Sequence, residues 1–238
     1  MPFEVMDIQQ VAAYLGLDSR EVDRLASRGR LPGQKRKGGY VFMKADIDQW
    51  VLSQLHELPH GRLAAIEAGV RQHHGMDETG LILAGMLPAG GIIDPLRARS
   101  RAGVLGDLVD AADACGLVHD RADLLEALTQ REQLASTAIL PRTAVPHPRQ
   151  PLPYDIERSF LVVGRSQAGV PFSAPDGSLT RLFFLICCKD ERTHLHVLAR
   201  VGRVLGAEET IDRLLAAADA DDLRRVLIEA ERAAVRAA

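Results

Sequence analysis

The sequence predicts an α/β protein in two parts. A small unit of short helices around a basic hairpin comes first, and a layered domain with strands interleaved among amphipathic helices follows. Three observations predict this. Residues 1–54 carry apolar residues at helical spacing, punctuated by Gly and Pro turns. From about Gly80 onward, strand-like runs alternate with helical patterns, the signature of layered α/β packing. The chain has 238 residues, enough for one large domain or two ordinary ones.

The elements of the first part read in order. "DIQQVAAYLGLD" places Ile8, Val11, Ala12 and Leu15 at helical spacing with Asp7 as N-cap. A turn at Gly16-Leu17-Asp18 leads to "DSREVDRLASRG", capped by Asp18 or Ser19, with Val22 and Leu25 inward and Gly29 at its end. "RLPGQKRKGGYVFMK" carries turn residues around a basic cluster and finishes in a strand, Tyr40 to Met43. "ADIDQWVLSQL" is a third helix capped near Asp46. Residues 55–79 read as a helical linker that then breaks. Leu63, Ile66 and Val70 share one of its faces, which can pair with a second copy of the chain in a homodimer or pack on either domain.

In residues 80–238, "RAGVLGDLVDAADACGL" is an amphipathic helix with Val104, Leu105, Leu108, Val109 and Ala112 on its apolar face and Gly116 beyond its end. "DRADLLEALTQREQL" is a second, capped by Asp120. Thr143 to Val145 reads as a strand ending at Pro146; "RSFLVVGRS" and "LTRLFFLICC" are strands separated by the turn-rich "QAGVPFSAPDGS". "THLHVLARVGRVL" is a helix with Leu195, Leu198, Val201 and Leu205 in register, and two further helices close the chain.

Composition narrows the function classes. Apolar residues make up 47% and charged residues 26% of the chain, as in soluble globular proteins. The net charge of −3 advertises no general affinity for nucleic acid, so any basic patch is local. Three cysteines, Cys115, Cys187 and Cys188, make no disulfide framework and read as reduced thiols of a cytoplasmic protein. The polar, acidic start "MPFEVMDIQQ" is no signal peptide, and no apolar run reaches the roughly 18 residues that span a bilayer, so no membrane insertion is expected. His56, His60, His73 and His74 lack Cys or carboxylate partners at ligand spacing and read as polar helix ends; no metal and no cofactor are expected.

The local basic patch lies in the first part. Between Arg20 and Lys44 stand Arg20, Arg24, Arg28, Arg30, Lys35, Arg36, Lys37 and Lys44, against only Glu21 and Asp23. Helix, turn, helix and basic wing in this order fit double-stranded DNA. The second helix enters the major groove with Ser19, Arg20, Asp23 and Arg24, while Lys35, Arg36 and Lys37 meet phosphates or the minor groove. The ordered residues "QQVAAYLGLDSREVDRL", "GRLP", the basic cluster, then "YVF" and "DIDQWV" resemble the excisionase/MerR-like winged helix-turn-helix family over residues 6–51.

The second patch of chemistry is "TAVPHPRQPLP". Pro146 and Pro148 fix their own φ and push the residue before each toward extended geometry, so His147 is held at a strand end with little freedom. A rigid imidazole suits in-line attack and can accept a phosphoryl group on nitrogen. The incoming charge needs cations and N–H donors. His194, in the first turn of a helix, Arg131, near the end of another, and Arg149 are placed to supply them. His196 points to another face of its helix and reads as structural, and Asp176 as a turn residue.

Arg131-Glu132, Ser136-Thr137 and Ala144-Val145-Pro146-His147, followed by the "THLHVLARVGRVL" helix, are similar to the phosphohistidine motif of fructose/mannitol-type enzyme IIA domains of the sugar phosphotransferase system, the nitrogen-regulatory branch most closely. The resemblance spans residues 80–232. It implies a mixed sheet flanked by helices, with His147 as acceptor of a phosphoryl group from the phosphocarrier protein HPr. His194 and Arg131 would stabilise that group, and Arg149, Ser136 and Thr137 would lie in its environment. Pro148 stands where the family has a small residue, and proline offers phosphate no N–H. Joined to the N-terminal unit, these features imply a DNA-binding regulator that senses phosphotransferase status. A phosphocarrier handing phosphate to a IIB partner, and a phosphorylation-independent docking protein, are the alternatives.

Overall fold

Asp7 opens α1 (Ile8–Leu15) with a reciprocal cap: its carboxylate accepts the Gln10 backbone N–H at 2.8 Å, and Gln10 Oε1 accepts the Asp7 N–H. The computed structural model describes residues 4–54, 60–74 and 80–236, the side chains of 49, 52–54, 60, 71–74 and 192 excepted. Gly16 closes α1 at φ +60°, a left-handed turn that a Cβ would strain. Asp18 caps α2 (Ser19–Ser27) through the Arg20 N–H. β1 (Val5–Met6), β2 (Gln34–Arg36) and β3 (Gly39–Met43) form an antiparallel sheet in the order β1-β3-β2. The β2–β3 hairpin, turning at Lys37-Gly38, is the expected wing; β1 was not expected.

α3 (Lys44–Gln54) starts directly after β3 rather than at a cap near Asp46, which instead lies in its first turn. The backbone N–H of Lys44 is already bonded to the Glu4 carbonyl at 2.9 Å, so that position needs no side-chain cap. α4 (His60–His74) holds the expected linker helix; 55–59 and 75–79, with His56, lie outside the described residues, as do the side chains of His60, His73 and His74. Leu63, Ile66 and Val70 are buried between α1 and the C-terminal helices. Gly69 allows the close approach, since a Cβ there would stand 2.6 Å from the Tyr14 carbonyl oxygen. The face expected to pair with a second copy or with either domain is therefore occupied within the chain, by both domains at once. One apolar core runs from Met6 and Phe42 through α4 into the second part.

That part comprises α5 (Ile82–Met86), β4 (Ile92–Ile93), α6 (Arg101–Ala114), α7 (Arg121–Leu134), β5 (Thr143–Ala144), β6 (Phe160–Val170), β7 (Thr180–Cys187), α8 (Glu191–Leu205), α9 (Glu208–Ala216) and α10 (Ala220–Arg236). The sheet order is β4-β6-β7-β5. The outer pairs are parallel and the central pair antiparallel, giving the expected mixed sheet. Alternate residues serve opposite faces. Phe160, Val162, Phe183 and Leu185 pack toward α6 and α7, and Leu161, Val163, Phe184 and Ile186 toward α8 and α10. β6 continues to Val170, through residues expected to belong to the turn, and re-pairs with Thr180 after a bulge. Cys187 and Cys188 are free and buried. Among the described residues no helix is long and apolar enough to cross a membrane.

Candidate functional site

The segment carrying His147 is pinned from three sides. Glu132, in the last turn of α7, accepts both the backbone N–H of Thr137, at 3.0 Å, and its hydroxyl, at 2.7 Å. The Thr137 carbonyl in turn accepts the Val145 N–H at 3.0 Å, and the Pro146 carbonyl accepts the Ile186 N–H of β7 at 2.9 Å. Ser136 donates its hydroxyl to the Phe172 carbonyl at 2.6 Å. The hydroxyls of Ser136 and Thr137 are thus engaged in seating the loop. Burial raises the pKa of Glu132, against the hydrogen bonds from Thr137 and Ser136.

Two contacts define the His147 ring. Nδ1 lies 2.7 Å from the Val145 carbonyl oxygen, an acceptor, so Nδ1 carries the proton and donates. Nε2 faces the Arg131 Nε–H at 3.3 Å, which requires a lone pair on Nε2. Arg131 also donates from Nη1 to the Ala135 carbonyl at 2.8 Å, and burial lowers its pKa, with the charge of Arg149 adding to this. His194, one turn into α8, stacks obliquely on His147, with ring centroids 5.5 Å apart. The two imidazoles are 3% and 5% exposed, and both ring nitrogens of His194 are buried without a hydrogen-bond partner.

The electrostatics follow from this geometry. Burial, then the positive charge of Arg131 and the neighbouring His194, hold His147 well below the usual histidine range, against the hydrogen bond to Val145. His194 is held down to about 4, by burial first, then by the charges of Lys44 and Arg131, with Asp190 opposing. Both rings are neutral at physiological pH, and His147 presents an unprotonated nitrogen to an arginine. A nitrogen of this kind is chemically able to attack an electrophile, and an arginine beside it is able to stabilise an anion. A cleft of about 540 Å³ opens alongside, lined by Arg131, Pro148, Arg149, Gln130, Leu134 and Leu152. Pro148 sits at its wall rather than offering a donor. Among the described residues, no cluster of His, Cys, Asp and Glu could hold a metal ion.

The basic surface lies on the first part. Arg20, Asp23 and Arg24 are exposed on α2, while Ser19 is half-buried and donates to Gln9 Oε1 at 2.7 Å. Lys35 and Arg36 on β2 and Lys37 at the turn are exposed on the wing. Lys44 corrects the sequence reading: it was counted with this cluster, yet it is buried, because α3 turns it inward against Tyr14 and Asp48. Sequence reasoning also missed Glu67 on α4. Its carboxylate takes His196 Nε2 at 3.0 Å and Arg200 Nε at 2.8 Å on one oxygen, and Arg203 Nη1 at 2.5 Å on the other. Burial opposes its ionisation, but these hydrogen bonds and the Arg200 charge hold its pKa down to about 2. A signal was available, since Glu67 lies four residues after Leu63 and three before Val70, on the apolar stripe itself. His196 is structural, as expected.

Comparison with known proteins agrees with both halves. Residues 5–55 match a helix-turn-helix domain family model. The chain is 30% identical over 128 residues to the fructose-specific EIIABC component of Bacillus subtilis, a match covering 53% of this chain but only 20% of that protein. It is 30% identical over 138 residues to a nitrogen regulatory protein of Bradyrhizobium diazoefficiens, covering 57% of this chain and 88% of that one. In fold it is similar to nitrogen regulatory protein IIA-Ntr of Neisseria meningitidis, with a TM-score of 0.56 at 22% identity over 61% of this chain and 99% of that chain. It is likewise similar to IIA mannitol of Escherichia coli, with a TM-score of 0.53 at 22% identity over 59% and 98%. Residues 86–230 match the family described as phosphoenolpyruvate-dependent sugar phosphotransferase system, EIIA 2, and the chain belongs to that family.

Proposed function

We propose that this protein is a cytoplasmic transcriptional regulator in which residues 80–238 accept a phosphoryl group from HPr on Nε2 of His147, residues 1–54 bind double-stranded DNA, and residues 55–79 join them. The observation that carries this reading is the ring geometry: Nδ1–H is committed to the Val145 carbonyl, which leaves the Nε2 lone pair facing Arg131. In transfer, the Nε2–P bond forms as the donor's P–N bond breaks, and that electron pair returns to the donor nitrogen. The Nδ1 proton stays on its bond to Val145. Arg131 moves its N–H from Nε2 to a phosphoryl oxygen, and His194, unpartnered beside it, donates another hydrogen bond. The transition state of such transfers is loose and anionic, so positioned cations and donors supply most of the catalysis. Arg149 at the cleft serves docking and charge, while Ser136 and Thr137 hold the loop. A IIB-type protein is the second partner to try, since the mannitol relative was solved in complex with its phosphorylated IIB.

Mixing the protein with phosphoenolpyruvate, enzyme I and HPr should place an acid-labile phosphate on His147, seen by mass spectrometry and absent in His147→Ala. An unlabelled protein, with the donor competent on a known acceptor, refutes the reading. The DNA half is read by mobility shift of genomic fragments with and without the phosphodonor. Replacing Lys35, Arg36 and Lys37 together by Ala should flatten the salt dependence of binding by up to about three units in log–log slope. An unchanged slope would remove the wing from the interface. Identical binding in both phosphorylation states would remove the switch.

A further inference from the structure

Lys44 is the cation that the basic cluster loses to the interior. It is 2% exposed, with its ammonium 2.8 Å from Asp48 Oδ2, 3.8 Å from Glu191 Oε2 and 5.1 Å from the centre of the Tyr14 ring. Tyr14 and Asp48 belong to the helix-turn-helix unit, whereas Glu191 is the first residue of α8. His194 lies three residues further, one turn along that helix. Lys44 thus reaches across the boundary between the two parts to the end of α8 that carries the site imidazole. Its charge bears on His194 together with that of Arg131.

We propose that Lys44 is a positioning residue of the phosphoryl site, contributed by the DNA-binding unit, and that it lets α3 feel the charge that arrives at His147. The inference rests on the reading of His147 as acceptor. Before transfer, Lys44 is shared between Asp48 on its own helix and Glu191 on α8. The phosphoryl group brings a new anion to the site, and Lys44 then has a stronger reason to lean toward α8. Its field also helps to hold the neutral His194 as a hydrogen-bond donor to that anion. α3 passes the displacement on: Trp50 donates its indole N–H to the Arg30 carbonyl at 2.6 Å, in the segment that leads into the wing. Among the described residues, the groups around Lys44 and His194 include Tyr14, Asp48, Asp190, Glu191, Arg131 and His147.

The test uses the full-length protein. Lys44→Met with Asp48→Asn removes both members of the buried pair, so neither is left as an uncompensated buried charge, while Glu191 keeps access to solvent. Lys44→Arg keeps the charge. The rate of phosphate incorporation on His147 is measured against HPr concentration, and the His194 ring is titrated by NMR. The double variant should transfer about tenfold more slowly at saturating HPr with its half-saturating concentration unchanged. Its His194 midpoint should move up toward the ordinary value, and Lys44→Arg should keep most of the rate. A double variant that transfers at the wild-type rate, or an unmoved His194 midpoint, overturns the inference. A wild type that takes no label overturns the acceptor reading and this one together. A wild type that is labelled but binds DNA equally in both states overturns the regulator and the relay through α3, and the rates then decide for Lys44 as a positioning residue.

Discussion

Two histidines lie two residues apart on α8 and have opposite environments. His196 gives Nε2 to the Glu67 carboxylate, beside Arg200 and Arg203, and leaves only Nδ1 without a partner. His194 is also buried, has a partner on neither nitrogen, and lies against the His147 imidazole, with the charges of Lys44 and Arg131 helping burial to hold its pKa down. Burial is common to both, so it is the partner that separates them. A paired imidazole in a closed ionic cluster fastens α4 to α8. An unpaired one keeps its hydrogen-bonding capacity unused, at a cost of about 1–3 kcal/mol per unsatisfied group, and under the proposed function that capacity serves the phosphoryl anion. The same helix therefore carries an ion-paired imidazole on one face and an unpartnered one on the other.

The largest way to break this comparison is through the anchor. Glu67→Ala leaves Arg203 buried without a carboxylate and Arg200 with Glu231 alone, and should destabilise the protein by about 3–5 kcal/mol in denaturant unfolding. A loss within experimental error would mean that the cluster fastens nothing. Acid comes next. The folded pKa of His194, about 4, lies below its ordinary value of 6.5, so the unfolded chain binds more protons between these limits. Stability attributable to this ring is therefore present above pH 6.5 and is lost as pH falls toward 4, on the order of 3 kcal/mol, with His147 acting in the same direction. Unfolding curves across this window should show the slope, and His194→Gln should flatten it. If the variant keeps the full slope, the neutral buried ring is not its source.

The third prediction sharpens the division of roles. His194→Gln should slow phosphate incorporation roughly 100-fold with little change in stability above about pH 7, where the ring is neutral folded and unfolded. His196→Gln should keep the incorporation rate and cost about 1–3 kcal/mol of stability. Labelling rates and denaturation midpoints of both variants check this, and equal effects on both quantities would erase the distinction.

Much of the fold was legible because its signals are local. Asp7, Asp18 and Asp120 each stand where a cap is needed and accept the N–H groups of the first helical turn. α6 buries the five apolar residues that its periodicity picked out. β1 and β4 were not legible, since two residues make a strand only by pairing with β3 and β6. The continuation of β6 through Gly169 was hidden by turn-like composition. In the site, Arg131, His147 and His194 were readable from a motif whose spacing is kept along the chain, and the structure brings them together. Lys44 was misplaced because a lysine among lysines and arginines looks exposed, and only the packing of α3 turns it inward.

By itself, the sequence determined most of the elements and their order, the caps of α1, α2 and α7, and the motif that carries Arg131, His147 and His194. Each of these depends on neighbours within a turn or two of helix or along one strand. The tertiary structure alone decided which charges are buried, which are paired and which wait unpartnered. Glu67 meets Arg200 across 133 residues, and Lys44 meets Glu191 only because folding brings the first residue of α3 beside the first residue of α8. Burial and ion pairing belong to surfaces brought together by folding, and local sequence spacing does not encode them.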